Sequence, residues 1–284
     1  MYKNFFLIIF FLFFFKLSYV NSFEVEWKVD GLSKPESVVY DEVTDFLYVS
    51  NINGKALALD GNGYISKIST SGKVIEKEWV SGLDGPKGLA IHNKFLYVAD
   101  INKIWKISLK NKSKKVFKVN NAGFLNDLIN DKSGRVFASD MFENRIYLLD
   151  KGKVTEWKKL LFSPNGLLID ENNLVIAQWG KTTKDFKTIR SGYLIKVDIR
   201  TKELKRFFST RPIGNLDGIV FDKNGGYLVT DWINGKLFKV NKKGIAVLKK
   251  DLNKGSADLG IVMHKGLVII PMMLENRLIA YKYN

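Results

Sequence analysis

The sequence predicts an all-β fold, a six-bladed β-propeller with four-stranded blades whose ring is closed by the N-terminal strand. Three observations predict it. A short unit recurs six times, the units follow one another every 45 residues or so, about the length of one propeller blade, and one strand-like segment at the N-terminus has no blade of its own. The composition agrees, because 46% hydrophobic and 26% charged residues are typical of a globular protein.

The N-terminal segment differs from the rest of the chain. Lys3 precedes an apolar run over residues 5–15, and a short polar stretch ends at Ser22. The run is too short to span a membrane comfortably, so residues 1–22 are predicted to be a signal peptide. Because Lys16 directly follows the run, an uncleaved anchor is the alternative. In both cases the folded part is expected to be exported, periplasmic or secreted, with no stable membrane insertion after cleavage.

The charge and the absence of cysteine exclude several functions. The formal net charge is +16, but the lysines are scattered and no common nucleic-acid-binding motif is present. We therefore expect no nucleic-acid partner. Without cysteine, thiol catalysis, disulfides and cysteine-ligated zinc are impossible. The oligomeric state is not encoded in any pattern that we recognise.

Each recurring unit predicts the innermost strand of a blade. It has a small polar start, an apolar run and a turn residue. A second apolar run, an alternating run and a more polar run usually follow, which gives four strands from the buried centre to the rim. The last unit has room for only three strands, so residues 23–29 are expected to supply its outer strand and to remove the open sheet edge. One propeller domain is thus predicted over 23–284, with units at 35–41, 86–92, 125–131, 164–170, 216–222 and 258–264.

The second residue of each unit is expected to face the central axis. Glycine follows it in four units and serine in one, which suits strands that crowd together. Two carboxylates and two amide oxygens among these residues form an oxygen-rich site that suits Ca²⁺, with Mg²⁺, Mn²⁺ or Zn²⁺ as alternatives. Equally, the groups could bond one another or water, with the lysine as counter-ion. The predicted ring is Glu36, Lys87, Asn126, Asn165, Asp217 and Leu259.

The ends of the second strands lie on the same face as the ring, together with two long loops over 53–63 and 180–191. Loops of this kind on a rigid scaffold commonly carry binding and catalysis. A turn partner inside the blade is an equal alternative for each acid. Both histidines fall at the opposite face, which leaves no base for a serine triad. The predicted substrate-pocket residues are Asp140, Asp231, Lys87 and Gln178.

The units around Glu36, Asn126, Asn165 and Asp217 resemble the SMP-30/gluconolactonase/luciferin-regenerating-enzyme-like (LRE-like) family over nearly all of residues 23–284. The resemblance implies that these four residues bind a divalent cation at the centre of a six-bladed propeller, and that the activity is hydrolysis of a lactone. Sugar-lactone members carry an arginine where Phe124 stands. Phe124 and the extra charge of Lys87 argue against a sugar-acid lactone, while metal binding is unaffected.

The predicted function is therefore metal-assisted hydrolysis of a lactone or ester, a small-molecule substrate, with Asp217 as both metal ligand and general base. The competing class is a non-enzymatic propeller that binds a partner and in which the axial cation only holds the blades together. The fold alone does not decide between them, because propellers carry many chemistries.

Overall fold

The computed structural model describes residues 23–183, 187–207 and 211–283, and the predicted signal peptide over 1–22 lies outside them. The predicted propeller is confirmed: six four-stranded antiparallel sheets form the blades of a ring. The first strand of the chain, β1 (Glu24–Val29), is the outer strand of the last blade, as predicted. Within the described residues no helix is long and apolar enough to cross a membrane.

The first three blades follow the chain without interruption, each strand pairing with the next. Blade 1 contains β2 (Pro35–Asp41), β3 (Phe46–Asn51), β4 (Gly63–Ser69) and β5 (Val74–Leu83); blade 2 contains β6 (Pro86–His92), β7 (Phe95–Asp100), β8 (Lys103–Ser108) and β9 (Lys114–Lys118); blade 3 contains β10 (Leu125–Asn130), β11 (Val136–Asp140), β12 (Arg145–Asp150) and β13 (Lys153–Lys159).

Blade 4 carries an extra hairpin between its second and third strands, and blade 6 takes its outer strand from the N-terminus. Blade 4 contains β14 (Pro164–Asp170), β15 (Asn173–Gln178), the hairpin β16 (Lys181–Thr182) and β17 (Thr188–Arg190), β18 (Leu194–Asp198) and β19 (Leu204–Arg206); blade 5 contains β20 (Leu216–Phe221), β21 (Tyr227–Asp231), β22 (Lys236–Val240) and β23 (Ala246–Asp251); blade 6 contains β24 (Gly260–Val262), β25 (Leu267–Met272), β26 (Arg277–Lys282) and β1, with short 3₁₀ turns at Met263–Lys265 and Met273–Glu275.

Burial follows the order of the strands within a blade. The second strands are almost wholly buried, whereas an outer strand such as β9 is mostly exposed. The apolar side chains pack between neighbouring blades: Val49 of blade 1, for example, shares a core cluster with Ile269 and Leu278 of blade 6. Each sheet is therefore stabilised on both faces by its neighbours, and the exposed residues lie mainly in the outer strands, turns and loops.

The ring closes between β1 and β26, which pair in antiparallel register from Glu24 with Lys282 to Val29 with Leu278. Trp27 of β1 also reaches blade 1, where its indole nitrogen donates a 2.9 Å hydrogen bond to the carbonyl oxygen of Thr70. The N-terminal strand therefore joins the last blade to the first, and the sheet has no unpaired edge at this point.

Glycines next to the axis are required by close contact between neighbouring inner strands. A Cβ at Gly166 would lie 2.0 Å from the carbonyl oxygen of Asp217, and one at Gly88 would lie 2.4 Å from a carboxylate oxygen of Asp127. No side chain fits at such distances, so the reason given for these glycines in the sequence is confirmed.

The register of blade 6 corrects one member of the predicted ring. Ser256 bridges Met272 and Gly260 pairs with Ile269, just as Pro35 pairs with Asn51 and Val39 with Tyr48 in blade 1. Ala257 therefore occupies the position of Glu36, and Asp258 occupies the position of Ser37, one residue after the ring. The prediction that Leu259 is the sixth ring residue is wrong, because its side chain packs in the apolar cluster between blades 5 and 6. The sixth ring residue is the buried Ala257, and the third carboxylate, Asp258, follows it as Asp127 follows Asn126.

Candidate functional site

The axial ring places Glu36, Asn126, Asn165 and Asp217 at the starts of four inner strands, and Asp258 lies one residue after the ring position of blade 6. Hydrogen bonds join three of them in series. The Asn126 amide donates to the Asn165 amide oxygen, and the Asn165 amide donates to an Asp217 carboxylate oxygen at 3.0 Å. The same amide also donates to the carbonyl oxygen of Leu216 at 3.1 Å. The structure thus brings the four ligands implied by the family resemblance to one end of the axis.

Asp258 and Glu36 meet on the other side of the ring. The Asp258 amide donates to the carbonyl oxygen of Glu36 at 2.9 Å, and the Ser37 hydroxyl donates to Asp258 Oδ2 at 2.5 Å. Glu36 is 5% exposed, and its Oε2 atom has no hydrogen-bond partner among the described residues. A buried carboxylate oxygen without a partner is costly and indicates a missing ligand.

Burial and mutual repulsion raise the pKa values of the ring carboxylates. The pKa of Glu36 is raised well above its usual value, first by burial and then by the charges of Asp217 and Asp258. The pKa of Asp217 is raised by burial and by the charge of Asp258. Burial also raises the pKa of Asp258 to about 7. Without a cation, the ring therefore resists full ionisation at neutral pH.

Asp127 is a further buried carboxylate near the ring that the sequence analysis did not single out. Its two oxygens accept hydrogen bonds from the amides of Leu128 at 2.7 Å and Leu167 at 2.6 Å. Its pKa is raised by burial and by the charge of Asp258. One signal could have identified it: Asp127 follows the ring residue, a position that is glycine or serine in the four other polar units.

Lys87 is the only cationic member of the ring, and its ammonium group bonds backbone carbonyl oxygens rather than the carboxylates. It is 1% exposed and donates to the carbonyl oxygens of Gly85 at 2.7 Å and Ala56 at 3.3 Å, with Nζ 4.4 Å from the centre of the Phe124 ring. Burial lowers the pKa of Lys87 to about 8. Among the described residues no ion pair joins Lys87 to a carboxylate, so any counter-ion effect on Glu36 acts over a longer distance.

The residues of the ring suit a divalent cation with oxygen ligands. Glu36 offers a carboxylate oxygen without a partner, and Asp217, Asp258 and the two amides supply further oxygen atoms. In the part of the chain that the structure describes, no three acidic or imidazole groups are clustered tightly enough to hold a metal by themselves. A cation here would therefore need the amide oxygens as well, which is common for Ca²⁺.

The acids at the ends of the second strands hold loops in place. The Asp140 carboxylate accepts hydrogen bonds from the backbone amides of Gly123, Phe124, Phe142 and Glu143 at 2.8–3.1 Å. Asp231 accepts a hydrogen bond from the Asn234 amide at 3.1 Å. These contacts match the turn-partner alternative, and contact with a substrate stays a prediction for both acids.

Gln178 and two tryptophans lie near one another at the ring face of blade 4. Trp179 directly follows Gln178, and its ring centre is 6.0 Å from that of Trp232 in blade 5. Gln178 lines a cavity at the outer side of blade 4 rather than the axis itself. Its role in an axial substrate pocket also stays a prediction.

Replacing Asp258 by Asn should change how stability depends on pH in the presence of a chelator. A carboxylate whose folded-state pKa is raised to about 7 stabilises the fold below its unfolded pKa, and this contribution is lost as the pH rises through 7. Wild-type protein should therefore lose stability relative to Asp258→Asn between about pH 4 and pH 7. Thermal melts of both proteins in EDTA across this range measure the difference, and parallel curves would contradict the burial of an ionisable Asp258.

Comparison with models of known protein families gives no match, and comparison with curated proteins gives none either. Solved structures do match. Virginiamycin B lyase from Staphylococcus aureus has a TM-score of 0.64 and 13% identity, with 91% of this chain and 99% of that chain covered. A streptogramin B lyase has a TM-score of 0.63 and 12% identity, with 91% and 98% covered. These identities show the propeller fold alone, and the SMP-30 resemblance stays a hypothesis.

Proposed function

We propose that this chain is a divalent-cation-dependent hydrolase of a lactone or ester, with its active site at the axial ring. The observation that carries the proposal is the burial of Glu36 and Asp217 next to the partly buried Asp258, with Glu36 Oε2 left without a partner and no ion pair between Lys87 and a carboxylate among the described residues. Buried carboxylates of like charge are retained in proteins when they bind a metal or perform chemistry.

Glu36, Asn126, Asn165 and Asp217 would hold the cation, and Asp258 adds a carboxylate beside them. The oxygen donors favour Ca²⁺, with Mg²⁺, Mn²⁺ or Zn²⁺ as alternatives. When bound, such a cation supplies Lewis-acid polarisation of the substrate carbonyl and stabilises the negative charge that develops on its oxygen.

Asp217 is the residue that would move the proton. Its carboxylate takes a proton from a water molecule as the water oxygen bonds to the carbonyl carbon, and returns a proton to the leaving oxygen as the acyl carbon–oxygen bond breaks. The Asn165 amide, which donates to Asp217 Oδ1 at 3.0 Å, fixes the orientation of this carboxylate.

The solved propellers of similar fold support an enzymatic use of this architecture. They are named as lyases of virginiamycin B or streptogramin B, and a catalytically inactive form of the Staphylococcus aureus protein was crystallised with quinupristin. We also propose that the chain is exported, on the pattern of residues 1–22 in the sequence.

One observation favours the non-enzymatic alternative, in which an axial cation only holds the blades together. Glu36, Asn126, Asn165 and Asp217 are each at most 5% exposed. A substrate would need a path to the ring, whereas a bare cation needs far less space.

An assay over a panel of esters and lactones separates the two functions. The panel should pair sugar-acid lactones with aliphatic and aromatic ones, each tested with Ca²⁺ and with EDTA. Hydrolysis that requires the cation and is lost in Asp217→Asn would support the hydrolase. A cation that stabilises the protein without any hydrolysis across the panel would contradict it and favour the binding module.

A further inference from the structure

Blade 4 departs from blades 1, 2 and 3 at the end of its second strand. At the matching position of three blades, the side chain caps the loop that leads into the blade. Asn51 accepts a hydrogen bond from the Ser33 amide, Asp100 from the Asp84 and Gly85 amides, and Asp140 from the Gly123 and Phe124 amides. Blade 4 has the longer Gln178 there, and within the described residues its side chain makes no such bond.

The Gln178 side chain instead lines a cavity of about 360 Å³ at the ring-face end of blade 4. Gln178 is 6% exposed, and within the described residues its side-chain amide has no hydrogen-bond partner, but its polar atoms keep some contact with solvent. The amide can therefore bond a molecule in the cavity. The volume is within the range of sites for small organic molecules.

Two guanidinium groups line the same cavity. Arg190 comes from the inserted hairpin, at the end of β17, and Arg206 comes from the outer strand β19. In the described ranges neither side chain has a hydrogen bond or an ion pair with an acidic group. Arginine presents its donors in a planar fork that matches carboxylate and phosphate oxygens. Two unpaired arginines at one cavity therefore create a site for an anion.

The remaining wall of the cavity is apolar. Leu194 and Phe207 are buried beneath it, and Phe162 and the fully exposed Leu161 border it. Leu161 is 101% exposed, which is unusual for a large apolar side chain beside a cavity. A purely inorganic anion would leave this wall unused, whereas an anion with an apolar tail would cover it.

We propose that this cavity binds a small amphipathic organic anion, with a carboxylate or phosphate head on Arg190 and Arg206 and an apolar tail against Leu161 and Phe207. The Gln178 amide would donate to the head group. The site lies apart from the axial ring and does not depend on the proposed hydrolase. Gln178 pairs with Pro164, the neighbour of ring residue Asn165, so the cavity and the ring share strands β14 and β15.

Calorimetric titration of the protein lacking residues 1–22 tests the proposal with four probes: octanoate, octyl phosphate, inorganic phosphate and 1-octanol. We expect saturable binding of octanoate or octyl phosphate, and the tighter of the two identifies the head group. Arg190→Gln/Arg206→Gln should weaken that binding by about tenfold or more, because two charge-assisted contacts are lost. The matched variant Arg200→Gln/Arg211→Gln loses the same charge at exposed sites outside the cavity and should bind within about twofold of wild type.

Several results would overturn the proposal. The first is that neither octanoate nor octyl phosphate binds saturably, and the second is that the two double variants bind the anion equally well. The third is that 1-octanol binds as tightly as the anions, which would mean that the head group is not recognised. The fourth is that inorganic phosphate binds as tightly as octyl phosphate, which would mean that the apolar tail is not recognised.

Leu161→Ser tests the contribution of the tail separately. Its exposed side chain can change without affecting the fold, and it should weaken octanoate binding severalfold while leaving the melting temperature unchanged.

Discussion

Replacing Asp217 by Asn should lower the rate of ester or lactone hydrolysis by about 10²–10⁴-fold, the usual contribution of a general base. The Asn side chain has nearly the same shape and can still accept the hydrogen bond that Asn165 donates at 3.0 Å, but it cannot take a proton from water. The rate should be measured at saturating Ca²⁺, so that weaker cation binding does not contribute to the loss.

Asp222→Asn is the matched control for that experiment. Asp222 follows the other end of the same strand, β20, where it pairs with Lys239 and accepts a hydrogen bond from Tyr283. Its replacement should lower stability without lowering turnover per folded molecule. Retained hydrolysis in Asp217→Asn, or an equal loss in Asp222→Asn, would exclude Asp217 as the base.

Replacing Gly166 by Ala should destabilise the protein by about 3 kcal/mol or more. The added Cβ would lie 2.0 Å from the carbonyl oxygen of Asp217, and both atoms belong to inner strands that the rest of the ring holds in place. This steric clash can be relieved only if blades 4 and 5 move apart at the axis. Denaturant unfolding of wild type and variant measures the difference in the free energy of unfolding.

Gly31→Ala provides the comparison. Gly31 has a φ of 77° and nothing within 4 Å of its added Cβ, so only the cost of the left-handed conformation remains, about 1–2 kcal/mol. If Gly166→Ala is no more harmful than Gly31→Ala, the inner strands are not packed as closely as the structure shows.

The blade count, the closure by the N-terminal strand and five of the six ring positions follow from the sequence, because each depends on a local pattern that recurs. The sixth position does not. In the last unit Gly260 follows Leu259 as Gly218 follows Asp217, and the similarity suggests the wrong alignment. Only the pairing of Ser256 with Met272 and of Gly260 with Ile269 shows that Ala257 occupies the ring position, Asp258 the position after it and Leu259 the core.

Side-chain direction is the other feature that the sequence does not encode. Lys87 was expected beside the carboxylates, yet its ammonium group bonds the carbonyl oxygens of Gly85 and Ala56. Gln178 was grouped with the axial pocket, yet it lines a cavity formed with residues from β17 and β19. Both outcomes depend on loops far apart in the sequence, so no local pattern could predict them.

The most direct test of an axial cation site is the melting temperature of chelated protein during titration with Ca²⁺ at pH 7. A ligand that binds only the folded state at one hundred times its Kd contributes about 2.7 kcal/mol. For a chain of this size we expect a rise of roughly 5–10 °C. The rise should be lost in Glu36→Gln/Asp217→Asn and retained in Asp222→Asn. A wild-type melting temperature that does not change with Ca²⁺, Mg²⁺, Mn²⁺ or Zn²⁺ would contradict a cation at the ring and the hydrolase that depends on it.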